Sequence, residues 1–166
     1  NVTVNVNDVN EVPTLISFNP SAVEENASTD TVIYDAEATD PDGDPLTYSI
    51  SGTDASYVTI DSDDGEVRLN NPADYESKSS YSFDVTASDG EFSDTKSVTV
   101  GVENANDAPY FTTTIDARDY FTFQENTPGG SVIGIVSADD IEGDSLTFSI
   151  TGGADQSYFE IENMEN

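Results

Sequence analysis

Apolar and polar residues alternate along most of this chain with a period of two. Val32/Tyr34/Ala36/Ala38, Leu46/Tyr48/Ile50, Val58/Ile60, Val67/Leu69, Tyr81/Phe83/Val85/Ala87 and Val98/Val100/Val102 each follow it. Successive side chains of a strand point to opposite faces, so each set predicts a strand with one face on a core. Turn-forming residues separate the runs: Pro41-Asp42-Gly43-Asp44, Ser62-Asp63-Asp64-Gly65 and Ser88-Asp89-Gly90. With an opening strand near Leu15–Phe18, this makes roughly seven short strands in about ninety residues. No stretch carries a helical apolar repeat of useful length. The pattern predicts an all-β fold, a seven-strand antiparallel Greek-key β-sandwich of two sheets.

The pattern also repeats. Val32-Ile33, Ala38-x-Asp40, Gly43-Asp44 and Leu46-Thr47-Tyr48-Ser49-Ile50 recur 100 residues later as Val132-Ile133, Ala138-x-Asp140, Gly143-Asp144 and Leu146-Thr147-Phe148-Ser149-Ile150. Glu25-Asn26 recurs as Glu125-Asn126, and Val2, Val4, Val6, Asp8, Asn10, Glu11 and Pro13 recur as Val98, Val100, Val102, Asn104, Asn106, Asp107 and Pro109. A period of this length is a whole domain rather than a solenoid unit. The expected frame is a last strand and linker of a preceding repeat at 1–12, a complete domain at 13–103, a linker at 104–108, and the N-terminal half of another domain at 109–166. The truncated half leaves open sheet edges. It is expected to be disordered or to pair with another chain, the strand 1–6 being one candidate, which would give a strand-exchanged oligomer.

Charge changes the picture. The chain of 166 residues has 34 acidic and 4 basic residues, a formal net charge of -30. It repels nucleic acid, anionic membrane surfaces and itself, and a divalent cation would offset the repulsion. A solubilising acidic surface is compatible with that role, whereas the regular alternation argues against a disordered acidic chain. The absence of Cys and His removes thiol chemistry, Ser-His triads, the usual zinc sites and disulfides.

Four acidic clusters are candidate sites: Glu24-Glu25-Asn26, Asp40-x-Asp42-x-Asp44, Asp74-x-Glu76 and Asn104-x-Asn106-Asp107. Asp and Asn are also ordinary turn residues. Their order along the chain is more specific than their composition. In a seven-strand sandwich Glu25, Asp74 and Glu76 should gather at the trailing pole, while Asp140 and Glu142 should lie at the leading pole of the next repeat. Six or more oxygens could then converge, as Ca²⁺ requires. Two other readings fare worse. Asp61-x-Asp63-x-Gly65 lacks the glycine position, the terminal Glu and the flanking helices of an EF-hand. Asp74 and Glu76 lie too close together on one segment to flank a sugar ring. No enzymatic activity is expected.

Five motifs in order resemble the cadherin repeat, in the variety found in large bacterial surface proteins. Glu25-Asn26 resembles the family's glutamate near the end of the first strand. Ala38-x-Asp40-x-Asp42 resembles its A-x-D-x-D loop. Gly65-Glu-Val-Arg-Leu69 with Ala73-Asp74-Tyr75-Glu76 resembles its G-x-V segment and L-D-R-E motif. Tyr81-x-Phe83-x-Val85-x-Ala87-x-Asp89 resembles its Y-x-F-x-V-x-A-x-D strand. Asp8-x-Asn10-Glu11 and Asn104-x-Asn106-Asp107 resemble its D-x-N-D-N-x-P linker. The resemblance implies Ca²⁺ ligands. Glu25, Asp74, Glu76, Asn104, Asn106, Asp107, Asp140 and Glu142 would serve the junction after the complete domain. Asp8, Asn10, Glu11, Asp40, Asp42 and Asp89 would serve the one before it. Three departures imply fewer or weaker ions than the family's usual three: shortened linkers, Asn104 in place of Asp, and Glu142 in place of the loop's second Asp.

The resemblance further implies an extracellular or bacterial cell-surface location and a membrane-associated parent protein. It implies homophilic cell adhesion, with neighbouring repeats, other adhesin molecules or cell-surface glycans as partners, and neither nucleic acid binding nor membrane insertion by this stretch. The alternative is a carbohydrate- or polysaccharide-binding module in which calcium is only structural.

Overall fold

The structure, a computed structural model, describes all residues except 1, 6, 19, 21, 113–120 and 163–166. The chain divides into two compact units, Asn1–Ala105 and Asn106–Asn166.

The first unit is a β-sandwich, with nine short strands among the described residues. These are β1 (Thr14–Leu15), β2 (Val23–Glu24), β3 (Val32–Asp35), β4 (Ala38–Thr39), β5 (Thr47–Ser51), β6 (Val58–Ile60), β7 (Glu66–Leu69), β8 (Ser80–Ser88) and β9 (Ser93–Glu103). One sheet has the order β2-β9-β8-β5 and the other β3-β7-β6, while β1 and β4 form a separate two-stranded ladder. The first sheet sets the early strand β2 beside the last strand, β9. The ladders are antiparallel except that of β2 with β9, which run parallel with Val23 opposite Val102.

Where alternation is strongest, the structure follows it. Tyr81, Phe83, Val85 and Ala87 of β8 and Val98, Val100 and Val102 of β9 are all buried, and the residues between them point outward. All of these except Ala87 pack with Tyr34, Val58, Val67 and Leu69 of the opposing sheet in one hydrophobic core. Tyr34 and Phe83 meet edge-on with ring centroids 6.4 Å apart.

The structure departs from the predicted pattern in three places. The opening strand ends at Leu15, not Phe18, whose side chain is 89% exposed. Past Leu15 the Ile16 N–H still donates to the Glu37 carbonyl at 2.8 Å, and side chains of β9 hold the other edge of the segment: Asp94 accepts from the Leu15 N–H at 2.9 Å and Lys96 donates to the Ser17 carbonyl. Beyond Pro20 the chain joins the four-stranded sheet as β2. In β3 the predicted Val32/Tyr34/Ala36 alternation slips at an irregularity between Val32 and Tyr34, so Ile33 is buried and Val32 is exposed. Residues 2–5, expected as a strand, belong to none, and Val2 and Val4 are exposed. An alternating segment becomes a strand only where a neighbour completes its ladder. Val6 of that segment lies outside the described residues.

Asp54 is a buried charge that the alternation does not reveal. Its carboxylate accepts the Ser82 N–H at 2.7 Å and pairs with Lys78 at 2.9 Å, and the Lys78 ammonium lies over the rings of Tyr57 and Tyr81. The Ser82 bond, and then Lys78, hold the Asp54 carboxyl below its ordinary 3.8. An acid with a lowered folded pKa stabilises the fold above its unfolded value, and loses that contribution as pH falls through the folded one. Asp54→Asn should therefore melt below the wild type at neutral pH in chelator, and the gap should close as pH falls below 3.8. A gap independent of pH would show that the Asp54 charge contributes nothing.

The second unit repeats features of the first. β10 (Tyr110–Phe111) pairs antiparallel with β11 (Ala138–Asp139), Phe111 opposite Ala138, as Leu15 lies opposite Ala38. One-turn 3-10 segments at Ala55–Tyr57 and Gln156–Tyr158 also correspond. β10 and β11 are the only two strands among the described residues of this unit, and Phe111, Val132 and Tyr158 are exposed.

Candidate metal centre

Three segments meet at the trailing pole of the first unit. The Glu25 backbone N–H donates to the Glu103 carbonyl at 3.0 Å, continuing the β2–β9 pairing past the end of β2. This turns the Glu25 side chain inward, where it is 5% exposed. One carboxylate oxygen accepts the Tyr75 N–H at 3.1 Å, and the other accepts the Ala105 N–H. Asn26 follows with φ 59°, and its N–H reaches the Ala73 carbonyl at 2.9 Å. Glu25 thus ties together the strand end, the Asp74-x-Glu76 segment and the chain leaving the unit. Carboxylate oxygens of Glu25, Asp74 and Glu76 lie within 4.8 Å of one another. The Asp74 carboxylate accepts the Ser77 N–H at 2.9 Å and the Ser77 hydroxyl at 2.8 Å, which keeps its pKa below the ordinary value. Asn104, on the segment leaving β9, is exposed.

The leading pole carries a second cluster. Oxygens of Asp8, Glu11 and Asp42 lie within 4.8 Å of one another, as do those of Asp40, Asp42 and Asp44. Asp40 Oδ1 caps its own loop, accepting the N–H groups of Asp42 at 2.9 Å and Asp44 at 3.2 Å. The linker docks on this loop through the Glu11 N–H, which donates to Asp42 Oδ2 at 2.9 Å, and through Asn10, which donates to Asp89 at 3.1 Å. Asp89 also accepts the Phe92 and Glu91 N–H groups, which hold its carboxyl low. The charge of Asp42 beside Glu11 pushes the Glu11 carboxyl upward. Asp40 Oδ2 is buried without a hydrogen-bond partner among the described residues.

The second unit rebuilds the same leading-pole geometry. Asp140 Oδ1 accepts from Glu142 N at 3.2 Å and Asp144 N at 3.1 Å, and the Asp107 N–H donates to Glu142 Oε2 at 3.3 Å. Glu142, the departure at the loop's second acidic position, makes with Asp107 the contact that Asp42 makes with Glu11. Asn106 donates to the Asp107 carbonyl at 2.9 Å. The residues expected for the second junction divide between the units: Glu25, Asp74, Glu76 and Asn104 belong to the first, Asn106, Asp107, Asp140 and Glu142 to the second.

Asp44 is absent from the expected ligand sets, although its spacing in Asp40-x-Asp42-x-Asp44 is the signal that could have found it. The backbone donors of Tyr75 and Ala105 have no signature in sequence. Oxygen-only donor sets, crowded carboxylates and an unpartnered buried oxygen suit a hard cation. Basic side chains do not serve the clusters: among the described residues, Arg68 pairs with Glu66, Lys78 with Asp54, and Lys96 donates to the Ser17 carbonyl.

The sandwich and its acidic poles define a family. The Cadherin domain matches residues 19–103, and the chain belongs to that family. It is 35% identical over 161 residues to Cadherin-24 of Homo sapiens, covering 85% of this chain and 19% of that protein. It is 38% identical over 104 residues to Cadherin-related family member 2 of Mus musculus, covering 62% of this chain and 8% of that protein. Among solved structures, human Protocadherin-24 EC1-2 superposes with a TM-score of 0.60 at 31% identity, covering 80% of this chain and 62% of that one. Drosophila N-cadherin EC1-4 gives a TM-score of 0.58 at 28% identity, covering 79% and 34%. The chain therefore spans less than a fifth of the length of either curated relative. These relatives are animal cadherins, so the expected kinship with the bacterial variety has no support in them. Among the described residues no helix is long and apolar enough to cross a membrane.

Proposed function

We propose that this chain is a calcium-binding stretch of cadherin repeats from an extracellular adhesion protein. Ca²⁺ stiffens the connection between successive repeats, and the chain has no catalytic role. The first repeat spans 13–103, with linkers at 1–12 and 104–108 and a further partial repeat from 109. Glu25, Asp74, Glu76, Asn104, Asn106, Asp107, Asp140 and Glu142 are ligands of one junction, and Asp8, Asn10, Glu11, Asp40, Asp42 and Asp89 of the other.

The observation that carries this reading is the convergence of Glu25, Asp74 and Glu76, from segments about fifty residues apart, with their oxygens within 4.8 Å. Carboxylates brought together in a strongly acidic chain repel one another unless a cation lies between them. Neighbouring repeats are the first partners, because the linkers carry ligands towards both sides. Other copies of the protein are the next partners, in homophilic cell adhesion.

Isothermal titration calorimetry with Ca²⁺ tests the reading. Saturable binding is expected with Kd about 10⁻⁴–10⁻³ M, the range of extracellular calcium modules, and weaker with Mg²⁺. Glu25→Ala should weaken the trailing site at least tenfold. It should also cost about 1–3 kcal/mol without metal, because the Tyr75 and Ala105 N–H groups lose their acceptor. A featureless titration of the folded protein would refute the calcium role.

A further inference from the structure

Asn26 belongs to the tripeptide Asn26-Ala27-Ser28, which has the Asn-x-Ser pattern that oligosaccharyltransferases of the secretory pathway recognise. The pattern alone is common, but the structure adds three facts. Asn26 and Ser28 are both exposed, on the turn between β2 and β3. The backbone of Asn26 is fixed, with φ 59° and its N–H on the Ala73 carbonyl, while its carboxamide makes no hydrogen bond among the described residues. The turn is closed by main-chain bonds, from Ala27 N to the Glu24 carbonyl at 3.3 Å and from Thr31 N to the Ser28 carbonyl at 2.9 Å. A substituent on Asn26 Nδ2 breaks none of these contacts.

The repeat supplies an internal control. Asn126 sits at the equivalent position with nearly the same backbone, φ 63°, and its turn closes in the same way, from Thr127 N to the Gln124 carbonyl at 3.3 Å. There the sequence reads Asn126-Thr127-Pro128, which has no hydroxyl two residues on. The two asparagines share a turn and differ in the acceptor pattern.

We propose that Asn26 is an acceptor for an N-linked oligosaccharide. The donor is an oligosaccharide on a lipid pyrophosphate. The Asn26 amide nitrogen loses a proton and bonds to the sugar's anomeric carbon, and the bond from that carbon to the pyrophosphate breaks, releasing the lipid pyrophosphate. The glycan stands one residue from Glu25, beside the trailing acidic cluster. The proposal rests on the extracellular reading of the chain but not on calcium binding.

The test is to secrete the full chain from a eukaryotic cell behind a cleavable signal, with peptide mass spectrometry before and after peptide N-glycosidase. The Asn26 peptide should carry a glycan whose removal leaves aspartate, and the Asn126 peptide should carry none. Ser28→Ala should abolish the glycan and Ser28→Thr should keep it. Transfer occurs on the nascent chain, so with Thr3→Ala in every variant a gel-mobility shift in cell lysate reads the outcome at Asn26 even for a variant that folds poorly. Cleavage at acidic residues places the other acceptor pattern, Asn1-Val2-Thr3, on a separate peptide. Secreted chain with Asn26 unmodified, or with Asn126 modified, would overturn the assignment while leaving an extracellular location intact. Calorimetry on unglycosylated protein tests the calcium reading separately.

Discussion

A tenfold excess of Ca²⁺ over its dissociation constant is expected to raise the melting temperature of the first unit by about 10 °C relative to chelator. One site at that excess stabilises the folded state by RT ln 11, about 1.4 kcal/mol. A domain of this size gains roughly 4–8 °C per kcal/mol. Both poles of the first unit carry a three-carboxylate cluster, so occupancy of more than one site pushes the shift upward. The unfolded chain has no equivalent, because Glu25 is brought to Tyr75 and Ala105 only by folding. The upward push on the Glu11 carboxyl by Asp42 is the local sign of the repulsion that the ion relieves. Differential scanning calorimetry in Ca²⁺, Mg²⁺ and EDTA at matched ionic strength checks this. The same rise in Mg²⁺ or in added monovalent salt would assign the effect to general screening rather than to sites.

The second large effect is expected at a glycine. Gly65 closes the β6–β7 hairpin with φ +81°, a conformation that L side chains rarely adopt. It is buried, and a Cβ there would stand 2.4 Å from the Ala36 carbonyl oxygen and 3.1 Å from the Ala36 Cβ. The clash is with backbone that also donates, through the Ala36 N–H, to the Gly65 carbonyl at 3.0 Å. The two segments cannot separate to admit a methyl group without losing that bond. Gly65→Ala should therefore cost about 3 kcal/mol or more, from left-handed strain plus the forced shift. Gly43 is the comparison, with φ +79° and nothing within 4 Å of where a methyl group would stand. Gly43→Ala should cost only the conformational part, about 1–2 kcal/mol. Urea denaturation of both variants measures the difference. Equal losses would mean that packing against Ala36 contributes nothing at Gly65.

The calcium and glycine predictions draw on different levels of the structure. Gly65 is legible as a turn residue from Ser62-Asp63-Asp64-Gly65, but its depth is not. Burial at that turn comes from Ala36, on the connection between β3 and β4, far from it in sequence. Asp54 is a parallel case. It reads as a polar residue near a turn, and becomes a buried, paired charge only because β8 and Lys78 close over it.

The strand content of the first unit, the repeat and the acidic composition of the poles all follow from the order of residues. Period-2 alternation is a local property, because the pleat sends neighbouring side chains to opposite faces whatever the topology. Tyr81 to Ala87 and Val98 to Val102 are therefore readable residue by residue. Repetition is readable too, since Asp40-x-Asp42-Gly43-Asp44 and Asp140-x-Glu142-Gly143-Asp144 fold into the same capped loop through bonds that span at most four residues. Other outcomes required the folded chain: how the first strand breaks between partners, why Val32 turns outward, and which of many acidic residues meet. Those depend on contacts between residues tens of positions apart, such as Leu15 with Asp94 and Glu25 with Ala105. Local pattern fixes which way a side chain points from its strand, and chain topology fixes what it meets there.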